Sequence, residues 1–256
     1  MIIENEIIKF DLMVESGQQD KEYSVNDLDI YSFYESYEFC NEGVAETFKK
    51  VLAKIKEALL AIIKKIKEFF SGKKKKPELT IDSKTLKVIE LKEIEMEITE
   101  CDKRALAKLD DIMGSINSNT QKYINNIRAN NYTKSEIFRY DAETTRALEE
   151  IRDSEKYTKI VTLDHQLYTR SKEKMKEYRT KLDSNTSELL LAVNMVSKIE
   201  NDPTLSEEQM SLALRVLRVA NYAYQTQTIM YMVAEAYVDK IISKYENLEY
   251  EAKHGK

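Results

Sequence analysis

An all-α architecture follows from what the 256-residue chain lacks and from what repeats along it. Glycine (5) and proline (2) are scarce, tryptophan is absent, and charged residues make up 33% of the chain. That balance suits long solvated helices and argues against sheet-rich or loop-built catalytic folds. Apolar residues also recur at steps of three and four through most of the chain, the period of an α-helix with one buried face. The predicted body is an elongated antiparallel helical bundle, preceded by a separate amphipathic helix. A short β-hairpin, or the beginning of a helix, is expected near residues 80–99.

The net charge of -5 conceals an internal asymmetry. Residues 1–43 carry eleven Asp/Glu against two Lys, and residues 44–76 carry eleven Lys against three Glu. Acidic leader and basic helix are therefore neighbours of nearly complementary charge. In the leader, Ser16-Gly17-Gln18-Gln19-Asp20 reads as a flexible break. After it, Tyr31, Phe33, Tyr34, Tyr37 and Phe39 alternate with acids. Phe33 and Tyr37 share a helical face, as do Ile30 and Tyr34, so a short amphipathic helix fits this stretch.

Residues 44–72 form the predicted basic amphipathic helix. Val44, Phe48, Val51, Leu52, Ile55, Leu59, Ile62, Ile63, Ile66 and Phe70 fall along one stripe, with the lysines on the flanks and back. Ser71-Gly72 ends the helix, and residues 73–79, Lys73 to Lys76 followed by Pro77, make a polar linker. Over residues 80–99, Leu86/Val88 and Ile94/Met96/Ile98 alternate with charged residues, which is the basis for the hairpin.

The bundle domain spans residues 80–252, and residues 253–256 are read as a disordered tail. Its first helix runs from Asp102 to the break at Asn130-Asn131, through Leu106, Leu109, Ile112, Met113, Ile116, Tyr123, Ile124 and Ile127. A second is expected to start at Asp141 as N-cap, with Glu143 in its first turn. No glycine or proline stops it before Ile199, so its continuity through Ile160 and Leu163 stays open. The last helix has a local start signal: Ser206 as N-cap, Gln209 closing a capping box, and Leu205 with Met210 as hydrophobic staple.

Catalytic and metal chemistry find little purchase. Cys40 and Cys101 lack CxxC spacing, and only His165 and His254 accompany them, so neither a disulfide framework nor a zinc site is expected. The thiols read as reduced cysteines of an intracellular protein. His165 follows Asp164 but has no second ligand at metal spacing, and it reads as a surface or half-buried helix residue. Glu90, Glu93, Glu95, Glu97 and Glu100 read as a solvated acidic face, because no E-x-x-H pattern accompanies them. No phosphate-binding glycine pattern occurs, so no cofactor is expected. Glu4, Glu6 and Lys9 break the apolar opening residues, so no secretory signal is expected there, and no run approaches the 18 uncharged apolar residues of a bilayer-spanning helix.

The amphipathic helix is the candidate functional element. Its apolar stripe can dock on a protein partner, on the bundle itself or on a second copy. Alternatively its lysines can hold it to an anionic bilayer while the stripe enters the interface. Nucleic-acid binding is disfavoured, since it uses the charge but has no need of so many apolar side chains. The candidate partner- or membrane-binding residues are Tyr34, Tyr37, Phe39, Phe48, Ile55, Ile62, Ile66 and Phe70. The tyrosines of the last helix, from Tyr222 to Tyr245, suit half-buried positions at a bundle boundary.

The leader YSFYESYEFCNEG followed by the Lys-rich helix resembles the start of internal or head-associated virion proteins of large tailed bacteriophages. That resemblance implies a non-enzymatic virion component, located in the particle or the host cytoplasm, whose N-terminal segment directs it into an assembling head. It also implies removal of a leader by a protease that cuts after Glu in an Ile/Leu-x-Glu context. Ile2-Ile3-Glu4 and Leu91-Lys92-Glu93 fit that pattern.

Overall fold

A computed structural model describes residues 44–71, 94–154 and 156–254. In chain order the elements are α1 (Val44–Ser71), β1 (Glu95–Cys101), α2 (Lys103–Arg128), α3 (Lys134–Arg152), β2 (Lys156–Thr162), α4 (His165–Glu200) and α5 (Glu207–His254). Five helices pack on one another, and the two strands form one antiparallel pair, so the class is all-α.

The long helix α5 is the shaft. Its 48 residues extend about 72 Å at 1.5 Å per residue. Ten consecutive residues, Val219 to Thr228, are buried. At 3.6 residues per turn that run points in every direction, so neighbours must cover α5 all round. Helices α1, α2, α3 and α4 all pack on it. Side-chain pairs set their directions. Tyr231 donates to Asp110 at 2.6 Å and Gln209 reaches the Ile127 carbonyl at 2.6 Å, so α2 runs antiparallel to α5. Asn185 meets Thr228 and Arg179 meets Glu235, which makes α4 antiparallel as well. Asp141 with Arg215, and Arg152 with Tyr222, place α3 parallel to the shaft.

Local chemistry explains the helix ends. Asp102 caps α2 by accepting from the Arg104 N–H at 2.8 Å, and Asn130 takes the left-handed conformation (φ 53°) that closes it, at the predicted break. Asp164 caps α4, accepting from the Leu167 N–H at 2.6 Å. At α5 the expected capping box forms in both directions, Ser206 N–H to Gln209 Oε1 at 2.8 Å and Gln209 N–H to Ser206 Oγ at 3.3 Å.

Three expectations need correction, and one open question is answered. Helix α3 begins at Lys134, and Asp141 lies inside it rather than at its start. The Asp141 carboxylate is held by Arg215 and Arg218 of α5 at 2.9 and 3.1 Å, a tertiary role that an N-cap reading of a lone Asp misses. The chain from 141 to 199 is not one helix. It stops at Asp153, and β-branched Thr158, Ile160, Val161 and Thr162 pair with β1 before Asp164 starts α4. The strand expected near 94–98 forms, but its partner is β2, in the register Glu95↔Thr162 to Cys101↔Lys156. Residues 80–93 lie outside the described residues. Finally, α5 continues through His254, whose ring stacks on Tyr250 at 4.1 Å, where a tail was expected.

The core has two parts. The larger joins all five helices, and the smaller lies where the ribbon meets the end of α5, around Ile98, Leu163, Tyr168, Ile241, Tyr245 and Leu248. The amphipathic helix is therefore a fifth member of the bundle rather than an element apart from it.

Candidate interaction site

Helix α1 lies against α4 and α5. Phe48, Leu52, Ile55, Leu59, Ile62, Ile66 and Phe69 are all buried, with Ile62 and Leu52 at 0% exposure. These positions alternate steps of four and three, a heptad seam that keeps one line of side chains against a neighbouring helix pair. They belong to the same core cluster as Leu189, Val193 and Val196 of α4 and Leu212, Val216 and Val219 of α5. The stripe foreseen in the sequence is thus closed by the protein's own bundle.

Of the predicted anchors, Phe48, Ile55, Ile62 and Ile66 come together on this seam. Phe70 does not. The heptad step from Ile66 reaches Phe69, which is buried, while Phe70 is half-buried at the margin, its ring edge-on to Phe69 at 5.9 Å. The 4-3 alternation from Phe48 was the available signal for Phe69. Tyr34, Tyr37 and Phe39 lie outside the described residues.

The opposite face of α1 carries exposed Lys49, Lys50, Lys64 and Lys67, with Leu60 exposed between them. Lys56 meets Glu200 of α4 at a loose 3.9 Å, and Lys64 pairs with Glu68 one turn on. The result is a two-sided element, apolar inward and basic outward.

Elsewhere, polar side chains serve packing. Along the seam between α2 and α4, Tyr231 donates to Asp110, which Lys181 also engages at 3.0 Å, and Tyr224 donates to Asn117. Burial pushes the hydroxyl of Tyr224 well above its ordinary pKa. It does the same to Tyr231, aided by Asp110, and takes Tyr178 up to about 12. Burial also raises the Glu188 carboxyl, against a hydrogen bond from Asn117. Glu235, fully buried, is met by Arg179 at 2.8 Å. The α5 tyrosines, expected at half-buried boundary positions, are mostly interior: Tyr222, Tyr224, Tyr231 and Tyr245 are buried, and Tyr237 is half-buried.

His165 is the first residue of α4, its Nδ1 3.4 Å from the Tyr245 hydroxyl and its ring beside Tyr168. Among the described residues, no three His, Cys, Asp or Glu side chains converge as a metal site would require. No described helix is long and apolar enough to cross a membrane. A shallow cleft of about 300 Å3 lies between α2 and α3, floored by Ile116, Tyr123 and Tyr140 and rimmed by Glu136, Arg139 and Glu143.

No protein-family model matches the chain, and no curated protein or solved structure is significantly similar to it.

Proposed function

We propose that this chain is a non-enzymatic structural or interaction protein of an assembly, with a tailed-phage head as the setting that its N-terminal layout suggests. The observation that carries this reading is the two-sidedness of α1. Its apolar seam is taken up by the bundle, while Lys49, Lys64 and Lys67 are exposed on its other face. In this reading the helix ties the leader to the bundle, and the leader's Tyr34, Tyr37 and Phe39 supply the contacts with a protein partner. The engagement of Asp110, Asp141 and Glu235 by tyrosine and cationic side chains supports a structural use of these groups over a catalytic one.

The sites at Glu4 and Glu93 give this reading its test. Cleavage after Glu93 would cut the covalent tie between α1 and β1 while the seam holds α1 in place. Mass spectrometry of particle-associated material from the native source should find an N-terminus just after one of these glutamates. An intact chain confined to the particle-free fraction contradicts the proposal.

A second reading, attachment to an anionic bilayer, is favoured by exposed Leu60 among Lys49, Lys64 and Lys67. Flotation of the full chain with anionic and neutral vesicles at low salt decides it. Co-flotation with anionic vesicles alone supports this reading, and no binding removes it.

A further inference from the structure

Among the described residues no third strand pairs with the ribbon, and the hydrogen-bond parity of β2 says which of its residues could take one. The Leu163 N–H donates to the Ile94 carbonyl at 2.8 Å, and these two residues are directly opposed in the continuation of the Glu95↔Thr162 register. In an antiparallel pair, hydrogen-bonded positions alternate. Tyr157, Lys159 and Val161 therefore turn their backbone groups toward β1, and Thr158, Ile160 and Thr162 turn theirs to the other side. Among the described residues no strand lies on that side. Ile160 is 69% exposed there, more than any other large apolar side chain described, and Tyr157 is 51% exposed. The strand KYTKIVT is rich in β-branched residues and has no proline, and the edge protection it carries is that of Lys156 and Lys159.

We propose that β2 pairs edge to edge with β2 of a second copy, joining two ribbons into one four-stranded antiparallel sheet. Two identical strands related by a two-fold axis through the sheet must oppose residues of the same face, which restricts the centre of pairing to a residue. Centred on Lys159, two ammonium groups face each other across the axis. Centred on Thr158, Ile160 faces the Lys156 of the other copy. Centred on Ile160, the two isoleucines cover one another and Thr158 opposes Thr162. Lys159, already tied to Glu100 at 2.9 Å, then faces Val161. In this last register Thr158, Ile160 and Thr162, whose backbone groups point outward, form the hydrogen-bonded pairs. It is the register that satisfies the edge and removes the most apolar surface from water.

A five-residue edge falls short of the ~800 Å2 per partner of a standard interface, so the dimer is concentration-dependent. It does not depend on the N-terminal attachment proposed above.

The register makes a positional test. In the full chain with Cys40→Ser and Cys101→Ser, Ile160→Cys places two thiols in a hydrogen-bonded pair with Cα atoms about 5.5 Å apart, inside the range a disulfide accepts. Thr158→Cys or Thr162→Cys alone separates the thiols by about 13 Å along the strand, beyond that range. Mild oxidation should give a disulfide-linked dimer many-fold faster at position 160 than at 158 or 162, while Thr158→Cys with Thr162→Cys together should link efficiently. Sedimentation of the native chain should show a dimer fraction that rises with concentration and disappears in Ile160→Lys, with helical circular dichroism unchanged. Equal rates at all three positions, or a chain monomeric at every concentration, overturns the proposal. So does a thiol at position 160 that neither cross-links nor reacts with a maleimide, since the edge would then be covered by the chain itself.

Discussion

Helices α1 and α5 bury their side chains in opposite styles. In α1 a seven-residue seam is sealed while Lys49, Lys50, Lys64 and Lys67 are exposed, so burial has one direction. In α5 ten consecutive residues are enclosed, among them Asn221, Gln225, Thr226, Gln227 and Thr228. A helix that edges a bundle keeps a clean amphipathic pattern, whereas one at its centre must place even polar side chains indoors. Such a shaft is where every other helix meets, and its failure is the failure of the fold. An edge helix can be lost with less damage.

A carboxylate without a partner on each helix separates the two most sharply. Val216 and Ile62 are both fully buried, and Asp at either site costs on the order of 4 kcal/mol or more. Val216→Asp should abolish cooperative unfolding and most helical circular dichroism. Ile62→Asp should release α1 alone, leaving a body that still melts cooperatively. Equal collapse in both variants would show that α1 is as central as α5.

Next in size is the buried charge of the shaft. Arg179→Ala leaves the Glu235 carboxylate without its closest cation, an expected loss of about 3 kcal/mol in urea unfolding. Adding Glu235→Gln should recover part of it.

What could be read from sequence divides along the same line. The seam of α1 and the capping box of α5 are signals carried within a few residues, and both were visible there. The start of α3 was not, because Asp141 answers to arginines at 215 and 218, far along the chain. The β2 strand was hidden for the same reason, its partner lying at 95–101. Burial of the α5 tyrosines depends on Asp110 and Asn117 of α2, which no helical period of α5 announces.

Smaller effects follow at the shaft's start. Ser206→Ala removes one side of the capping box and should cost about 1 kcal/mol. Just before it, hydrogen bonds from the Thr204 side chain and N–H, then Arg128, hold the Asp202 carboxyl below its ordinary pKa. A depressed carboxyl stabilises the fold above its unfolded-state pKa, and that contribution is lost as pH falls through the folded-state value. Asp202→Asn should therefore lower stability at neutral pH and flatten the acid limb of a stability-pH profile.

The smallest effect belongs to the outer face of α1. Lys49→Ala and Lys67→Ala should change stability by no more than about 0.5 kcal/mol, since both side chains are exposed. A larger loss would mean that the lysine face also supports the body.

Hydrogen exchange of the full chain, followed by mass spectrometry, tests most directly whether α1 is a built-in fifth helix. Amides of residues 52–66 should exchange slowly, with protection well above that of an isolated helix and approaching that of residues 216–228 in α5. Exchange of 52–66 at the rate of an unprotected peptide, while α5 stays protected, would contradict the account.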